Sequence, residues 1–258
     1  MRKPAPWQWG IGIGVVTFLY LPLVVVVAYS FNDSRLNAEW VGFTLGWYRA
    51  LFADAQMLVA ARNSLVVAAA SSAIATVLGT LAGLAMYRHP RRRLLPVLVL
   101  TPIAIPEVLQ GVSLLVFFVM LNLTLGLVSI VLSHIAFCIG FVAVVVRARL
   151  QGLDESLIEA ARDLGATPWQ ALRRITLPLI APGIGAGALL AFTLSIDDFV
   201  ITFFTAGAGT TTLPLQIYSM IRIAVTPEVN AVSTLLMALT LVLAALAGQM
   251  APGSLRGQ

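Results

Sequence analysis

The segment Glu159–Pro178 reads EAARDLGATPWQALRRITLP and lies between two long apolar runs. It gathers acids, arginines, a glycine and two prolines, whereas the rest of the chain largely avoids charge. Of the 258 residues, 59% are apolar and only 10% are charged. So little polar surface cannot cover a water-soluble globule of this size, so we expect a lipid-embedded protein. The quoted segment is then predicted to lie in a loop outside the bilayer.

Uncharged runs of sufficient length predict the membrane-spanning helices. A helix rises about 1.5 Å per residue, so about 20 residues cross a hydrocarbon core of about 30 Å. Six spans fit the sequence, because the run at 94–146 carries only Glu107 and His134 and is long enough for two. We therefore expect an all-α fold with one transmembrane domain over residues 1–258. The predicted spans are 9–30, 62–87, 94–121, 125–147, 178–205 and 230–250, with a polar loop at 148–177.

Positive charge is distributed unevenly over the two sides that these spans define. Twelve of the 16 arginines and lysines fall on the side of the polar loop, and four fall on the other side. Because cytoplasmic loops are enriched in these residues, both termini and the polar loop are predicted to be cytoplasmic. The net charge of +5 then requires no nucleic-acid partner. A signal peptide is the alternative for the first span, although its apolar run is longer than usual for such a core.

The polar loop carries the start and stop signals of two short helices. Asp154 can cap a helix of about three turns, which Gly165 would end with a left-handed backbone. Thr167 and Pro168 then suit the N-cap and first position of a second helix. We expect the exposed apolar side chains of this loop either to contact a protein partner or to lie on lipid headgroups. They belong to Leu157, Ala160, Ala161, Leu164 and Trp169.

The spacing within this loop resembles the signature of the permease subunits of binding-protein-dependent ABC importers. That signature is E-A-A, three residues, G, nine residues and I-x-L-P. It is present as Glu159, Ala160, Ala161, Gly165, Ile175, Leu177 and Pro178. The resemblance covers essentially the whole chain and implies a type I importer permease fold. It also implies that the loop couples to a cytoplasmic ATPase. The implied coupling residues are Glu159, Ala160, Ala161, Asp163, Gly165, Ala166, Thr167 and Trp169.

The resemblance further implies the partners of the chain. A homologous permease, two cytoplasmic ATPase subunits and a periplasmic or lipid-anchored substrate-binding protein would complete the importer in a bacterial inner membrane. A phosphate-binding P-loop requires a lysine followed by Ser or Thr, and the single lysine here, Lys3, precedes a proline. We therefore expect no catalytic residue, metal site or cofactor in this chain. ATP and Mg would be bound by the ATPase subunits.

Three strings in the second half of the chain resemble the spermidine and putrescine branch of this family. They are SIDDFVITFF from Ser195, TTLPLQIYSMIR from Thr211 and VTPEVNAVSTLL from Val225. The resemblance implies that the chain forms half of a polyamine pathway. Transport of another small cationic or amine-bearing solute remains the alternative.

Three acids lie in or beside predicted spans, where an ionised group costs roughly 2.5 to 3.5 kcal/mol and usually faces a cavity or a partner. Glu107 follows Pro102 and Pro106, which should bend or break the third span. Asp197 and Asp198 are adjacent and point about 100° apart on a helix, so they cannot both face one spot. We expect counter-charges for a cation in the pathway. The alternatives are a simple kink near an interface at Glu107 and an acid cluster that only ends a helix.

Two aromatic residues complete the predicted pathway set. Trp47 and Tyr218 could stack on an ammonium group, although an interfacial belt position is the alternative for each. An ion channel or secondary carrier could also use membrane acids, but neither needs a loop that binds an ATPase. An intramembrane enzyme is disfavoured, since the sequence lacks H-E-x-x-H and G-x-S-x-G and has only two histidines.

Overall fold

The computed structural model describes residues 6–34, 39–223 and 226–250, and its regular elements in these ranges are all helical. An isolated antiparallel bridge joins Asn32 to Phe43. The predicted all-α fold is confirmed. The helices are α1 (Pro6–Tyr29), α2 (Gly46–Ala53), α3 (Ala55–Arg88), α4 (Leu94–Ala104), α5 (Glu107–Met120), α6 (Leu127–Gln151), α7 (Ser156–Asp163), α8 (Pro168–Ala171), α9 (Leu177–Ile196), α10 (Val200–Thr205), α11 (Leu213–Ile223) and α12 (Pro227–Met250).

The described ranges contain five helical segments that are long and apolar enough to cross a bilayer. The bent pair α4 and α5 supplies a sixth crossing if both arms belong to one broken span. Both chain termini, which are predicted to be cytoplasmic, lie outside the described residues. The five segments are Trp7–Tyr29, Ala55–Arg88, Leu127–Gln151, Pro168–Ile196 and Pro227–Gly248.

The predicted break in the third span is confirmed. Helix α4 ends at Ala104, α5 begins at Glu107, and their axes differ by 109°. Proline disfavours helical backbone in the residue before it. Ile105, which precedes Pro106, accordingly has the extended conformation φ −83° and ψ 134°.

The fifth predicted span differs from expectation at both ends. The run predicted as one span over 178–205 consists of α9, a break at 197–199, and the short helix α10. At its start, α8 continues into α9 through a π-helical segment, Leu172–Thr176. The second helix of the polar loop is therefore continuous with a membrane span. In addition, α6 extends to Gln151, so the loop begins later than the predicted residue 148.

The chain divides into two compact units. The first contains the described residues up to Leu58 together with Gln216–Leu239, and the second contains Val59–Leu215 with the described residues from Thr240 onward. In the first unit, the short helix α2 follows the segment after α1. Its Trp47 donates an indole N–H···O bond of 2.8 Å to the Asn32 carbonyl, which ties α2 to the segment after α1.

Helix α6 forms the centre of the second unit. Its Val142 and Val146 are fully buried, together with Ile180 of α9. A β-carbon added at Gly79 of α3 would lie 2.6 Å from the Val142 Cβ, so only a glycine permits this approach of α3 and α6. Small residues commonly mediate close helix packing in membranes. The packed core of this unit therefore holds α3, α6 and α9 in fixed contact.

Candidate functional site

The first helix of the polar loop, α7, is shorter than predicted. It spans eight residues, or about two turns, and begins at Ser156. Asp154 nevertheless supports its start, because its carboxylate accepts the Ser156 backbone N–H at 3.0 Å. Hydrogen bonds from Ser156 also hold the pKa of the Asp154 carboxyl below its usual range.

Gly165 makes the corner that the sequence predicts. Its φ of +84° lies in the left-handed region, which favours glycine. The Ala166 N–H donates to the Ala161 carbonyl at 3.0 Å, and the Gly165 N–H donates to the Arg162 carbonyl at 2.9 Å. These two bonds form a Schellman motif, which satisfies carbonyls at the end of a helix.

The second helix of the loop begins with the predicted Thr167 cap, and this cap is reciprocal. The Thr167 hydroxyl accepts the Gln170 backbone N–H at 3.3 Å, and the Gln170 side chain accepts the Thr167 N–H at 2.8 Å. Pro168 occupies the first turn, where its missing N–H costs nothing. The corner at Gly165 and the start of the second helix are thus both held by local hydrogen bonds.

The apolar side chains of the loop are exposed in the chain by itself. Leu164 is 90% exposed, Trp169 is 64% exposed and Leu157 is 48% exposed. Ala160 is also exposed, as are the charged Glu159 and Asp163, while Ala161 and Ala166 are half-buried. Large apolar side chains at such exposure fit both predicted roles, contact with a protein partner and contact with lipid headgroups.

Two contacts that sequence reasoning missed connect the loop region to the spans. The Tyr87 hydroxyl at the end of α3 donates to a Glu155 carboxylate oxygen at 2.6 Å, just before α7. Arg149 near the end of α6 donates to the Leu179 carbonyl of α9 at 3.4 Å. Both contacts join residues far apart in sequence, and neither belongs to a local motif.

Two of the three predicted pathway acids are exposed and lie in one region of the second unit. Glu107 is the first residue of α5, directly after the sharp bend, and Asp197 follows the last residue of α9. Both residues are exposed. Glu107 also lies where the N-terminal amides of a helix favour an acid.

Asp198 is in a different environment from Asp197. Its side chain is only 6% exposed, and it accepts the Thr202 backbone N–H at 2.8 Å. The Thr202 hydroxyl donates to the same carboxylate oxygen at 2.8 Å, and the Nε2 atom of His134 lies 3.2 Å from it. The expectation that the adjacent aspartates face different surroundings is confirmed.

His134 extends this arrangement to two further helices. Its Nδ1 atom lies 2.7 Å from the Ser195 hydroxyl of α9, which lies 2.9 Å from the Ser71 hydroxyl of α3. We call these residues the polar cluster: Ser71, His134, Ser195, Asp198 and Thr202. Sequence reasoning did not include His134 among the candidate site residues. A histidine and an aspartate in apolar spans were the available signal, because buried charge requires a partner.

The predicted aromatic residues belong to the other compact unit. Trp47 is half-buried, and its indole N–H is used by the Asn32 carbonyl. Tyr218 on α11 is 45% exposed. Both aromatic residues lie in the first unit, and the three acids lie in the second.

Comparison with known proteins identifies the family. The family model described as the binding-protein-dependent transport system inner membrane component matches residues 75–252, which is more than half of the chain. The chain belongs to this family. As a membrane component of an ABC importer, the permease is not itself an enzyme, and it works with ATPase and substrate-binding partners.

Relatives of the permease have names that specify solutes. It is 44% identical over 216 residues to the spermidine/putrescine transport system permease protein PotC of Escherichia coli (strain K12), covering 83% of this chain and 82% of the relative. It is also 44% identical over 218 residues to the putrescine transport system permease protein PotI of that strain, covering 81% and 78%.

Solved structures agree on the fold. A bacterial ABC transporter involved in the import of the acidic polysaccharide alginate matches with a TM-score of 0.74 at 21% identity, over 95% of the permease and 93% of that chain. The MetNI methionine ABC transporter matches with a TM-score of 0.66 at 20% identity, over 81% and 97%. The predicted type I importer permease fold is confirmed.

Proposed function

We propose that this permease forms half of an ATP-driven import pathway for polyamines. The observation that carries this proposal is the 44% identity to two permeases named for spermidine and putrescine, each matched over most of its length. The exposed carboxylates of Glu107 and Asp197 support it, because anionic groups attract ammonium groups. Asp198 contributes less directly, since its carboxylate is occupied by His134 and Thr202.

The energy for import enters through residues 148–177 in this proposal. Leu164 and Trp169 would insert into a groove on the ATPase, and Glu159 and Asp163 would supply polar contacts beside them. The Schellman corner at Gly165 sets the angle between α7 and α8, so nucleotide-driven movement of the ATPase would reach α9 through the continuous π-helical segment. ATP and Mg would be bound by the partner subunits.

The complete importer is proposed to contain this permease, a homologous permease of different sequence, two ATPase subunits and a periplasmic or lipid-anchored receptor. Receptor docking and ATP binding would stabilise an outward-open state, and hydrolysis would open the pathway inward. Both termini and residues 148–177 are assigned to the cytoplasm of the inner membrane. A Gln151→Cys variant in a Cys138→Ala background tests this orientation, because an impermeant thiol reagent should label it only in inverted vesicles. Labelling of intact cells would contradict the assignment.

Uptake by the reconstituted complete importer tests the substrate. Labelled spermidine and putrescine should accumulate in proteoliposomes only with ATP, the receptor and a hydrolysis-competent ATPase. A monoamine and a neutral sugar of similar mass are the matched controls and should not accumulate. If a different solute stimulates ATP hydrolysis and accumulates while polyamines do neither, the polyamine assignment is wrong and the importer assignment stands.

A further inference from the structure

The break between α9 and α10 leaves backbone groups without helical partners inside a largely apolar region. Backbone amides in such surroundings must find internal acceptors, since an unsatisfied group costs several kcal/mol. Asp198 supplies the acceptor for Thr202 at 2.8 Å and for Ile201 at 3.4 Å. The break therefore depends on a buried carboxylate.

That carboxylate requires a partner of its own, and His134 of α6 is that partner. The Thr202 hydroxyl already donates to Asp198, so its oxygen can only accept from the His134 Nε2 atom, 3.0 Å away. The Asp198 oxygen, 3.2 Å from Nε2, is likewise an acceptor. These partners assign the proton on this edge of the ring to Nε2. His134 is 1% exposed, so water does not replace it as a donor.

The exposed acid of the pathway lies directly beside this arrangement. Asp197 is the residue between the end of α9 and Asp198, so its backbone direction is fixed by whatever holds Asp198. On the other edge of the His134 ring, Ser195 ties the last turn of α9 to Ser71 of α3. Both sides of the break are thus hydrogen-bonded to one imidazole.

We infer that His134 is a positioning residue, which acts through Asp198 and Thr202 to hold the α9–α10 break and thereby to fix where the Asp197 carboxylate lies. The inference rests on the proposed function only for the role of Asp197 toward a cation. The geometric part, that His134 holds the break, stands independently of the substrate.

Two amide substitutions at His134 separate the two edges of the ring. A Gln amide can place its NH2 group near the Nε2 position and keep the donor to Asp198. An Asn amide reaches only the Nδ1 position, so His134→Asn keeps the contact with Ser195 and loses the contact with Asp198. The Gln and Asn substitutions are matched in chemistry. His134→Leu removes both contacts and fills the site with an apolar side chain.

The experiment measures thiol labelling of Asp197→Cys in a Cys138→Ala background, using a small cationic methanethiosulfonate on the assembled importer. Gln151→Cys serves as a reference site in parallel complexes. Relative to the protein that retains His134, the His134→Asn and His134→Leu variants should raise or lower the labelling rate at position 197 by about tenfold. The reason is that both variants lose a hydrogen bond to a buried charge. The Gln variant should stay within about twofold, and labelling at position 151 should be unchanged throughout.

Maximal uptake per assembled complex is measured with a second set of variants that retain Asp197. His134→Asn and His134→Leu should lower it by about tenfold, and His134→Gln should retain at least about half of it. Equal behaviour of Gln and Asn in labelling would overturn the inference, as would unchanged labelling in assembled His134→Leu. If labelling responds as expected while wild-type complexes import no polyamine, the inference that His134 holds the α9–α10 break stands and the proposed function fails. Should Asn and Leu fail to assemble, Thr202→Val, which removes one hydroxyl, should give the same labelling change, and an unchanged rate would overturn the inference.

Discussion

In the polar loop several large apolar side chains are exposed, whereas at the break between α9 and α10 several polar side chains are buried. Leu164 is 90% exposed in the loop, and His134 is 1% exposed beside the break. Each region thus inverts the usual placement of its residue types. In the proposed function another protein covers the loop surface, whereas the polar cluster is completed within this chain.

The physical difference lies in the range of the contacts. The corners of the loop are closed by hydrogen bonds between residues within five positions of each other, such as Ala166 to Ala161. The polar cluster joins Ser71 to Ser195 across 124 positions and His134 to Thr202 across 68. A local motif can keep its shape while the loop moves with a partner. A cluster with members on four helices, α3, α6, α9 and α10, restrains those helices against one another.

The largest effect is expected from placing a charge in the exposed apolar surface of the loop. Leu164→Asp should abolish ATPase association and lower uptake by about a hundredfold, since truncation of a central interface residue alone often costs 2 kcal/mol or more. Leu164→Met, which stays apolar, should bind and transport nearly normally. Co-purification of the ATPase with the permease measures the effect. Full association of the Asp variant would contradict the assigned docking surface.

The corner at Gly165 should be the next most sensitive feature. A β-branched residue at a φ of +84° pays about 1 to 2 kcal/mol, although among the described residues nothing lies within 4 Å of an added β-carbon. Gly165→Val should therefore reduce uptake by about tenfold. Asn tolerates left-handed backbone, so Gly165→Asn is the matched control and should retain most uptake. Equal loss in both variants would indicate that bulk, not backbone conformation, matters at the corner.

Substitutions of the three acids test whether Asp198 stabilises the α9–α10 break while Asp197 and Glu107 attract the cation. Asp197→Asn should lower spermidine uptake by about fivefold and putrescine uptake less, because an exposed charge pair is worth up to about 1 kcal/mol and the trication has one more charge to place. Glu107→Gln should act in the same direction. Asp198→Asn should instead lower both fluxes equally and reduce assembly. The measurement is uptake of spermidine and of putrescine by each variant at saturating receptor. A larger loss of spermidine uptake than of putrescine uptake in Asp198→Asn would reverse the roles assigned to Asp197 and Asp198.

The smallest effect is expected at the Thr167 cap. Thr167→Val removes one hydrogen bond of the capping box and should destabilise α8 locally by about 1 kcal/mol. Uptake should fall by no more than about twofold, because the continuous helix into α9 still holds the segment. Hydrogen exchange of the loop amides should increase in this variant and not in Thr167→Ser. Unchanged hydrogen exchange in Thr167→Val would show that the cap does not stabilise the loop.

Much of the polar loop was predictable from sequence because its shape is local. Thr167, Pro168 and Gly165 each suit one backbone conformation, and the structure places each as its residue type requires. The length of α7 was predicted wrongly, because Asp154 caps from outside the first turn and the helix begins only at Ser156. The contact of Tyr87 with Glu155 could not be predicted, since it depends on how α3 ends beside the loop.

The sequence by itself determined the membrane-embedded, all-helical character, the six candidate crossings and the break at Pro106, because chain length, hydropathy and proline sterics act locally. It also predicted that Asp197 and Asp198 diverge, on the assumption of a continuous helix, and the structure separates them at a break instead. Only the tertiary structure decided which aspartate is buried. That choice depends on α6, which brings His134 to Asp198 and leaves Asp197 exposed. A buried carboxylate is stable only beside a donor, and a donor 64 positions away in the chain becomes its neighbour only through helix packing.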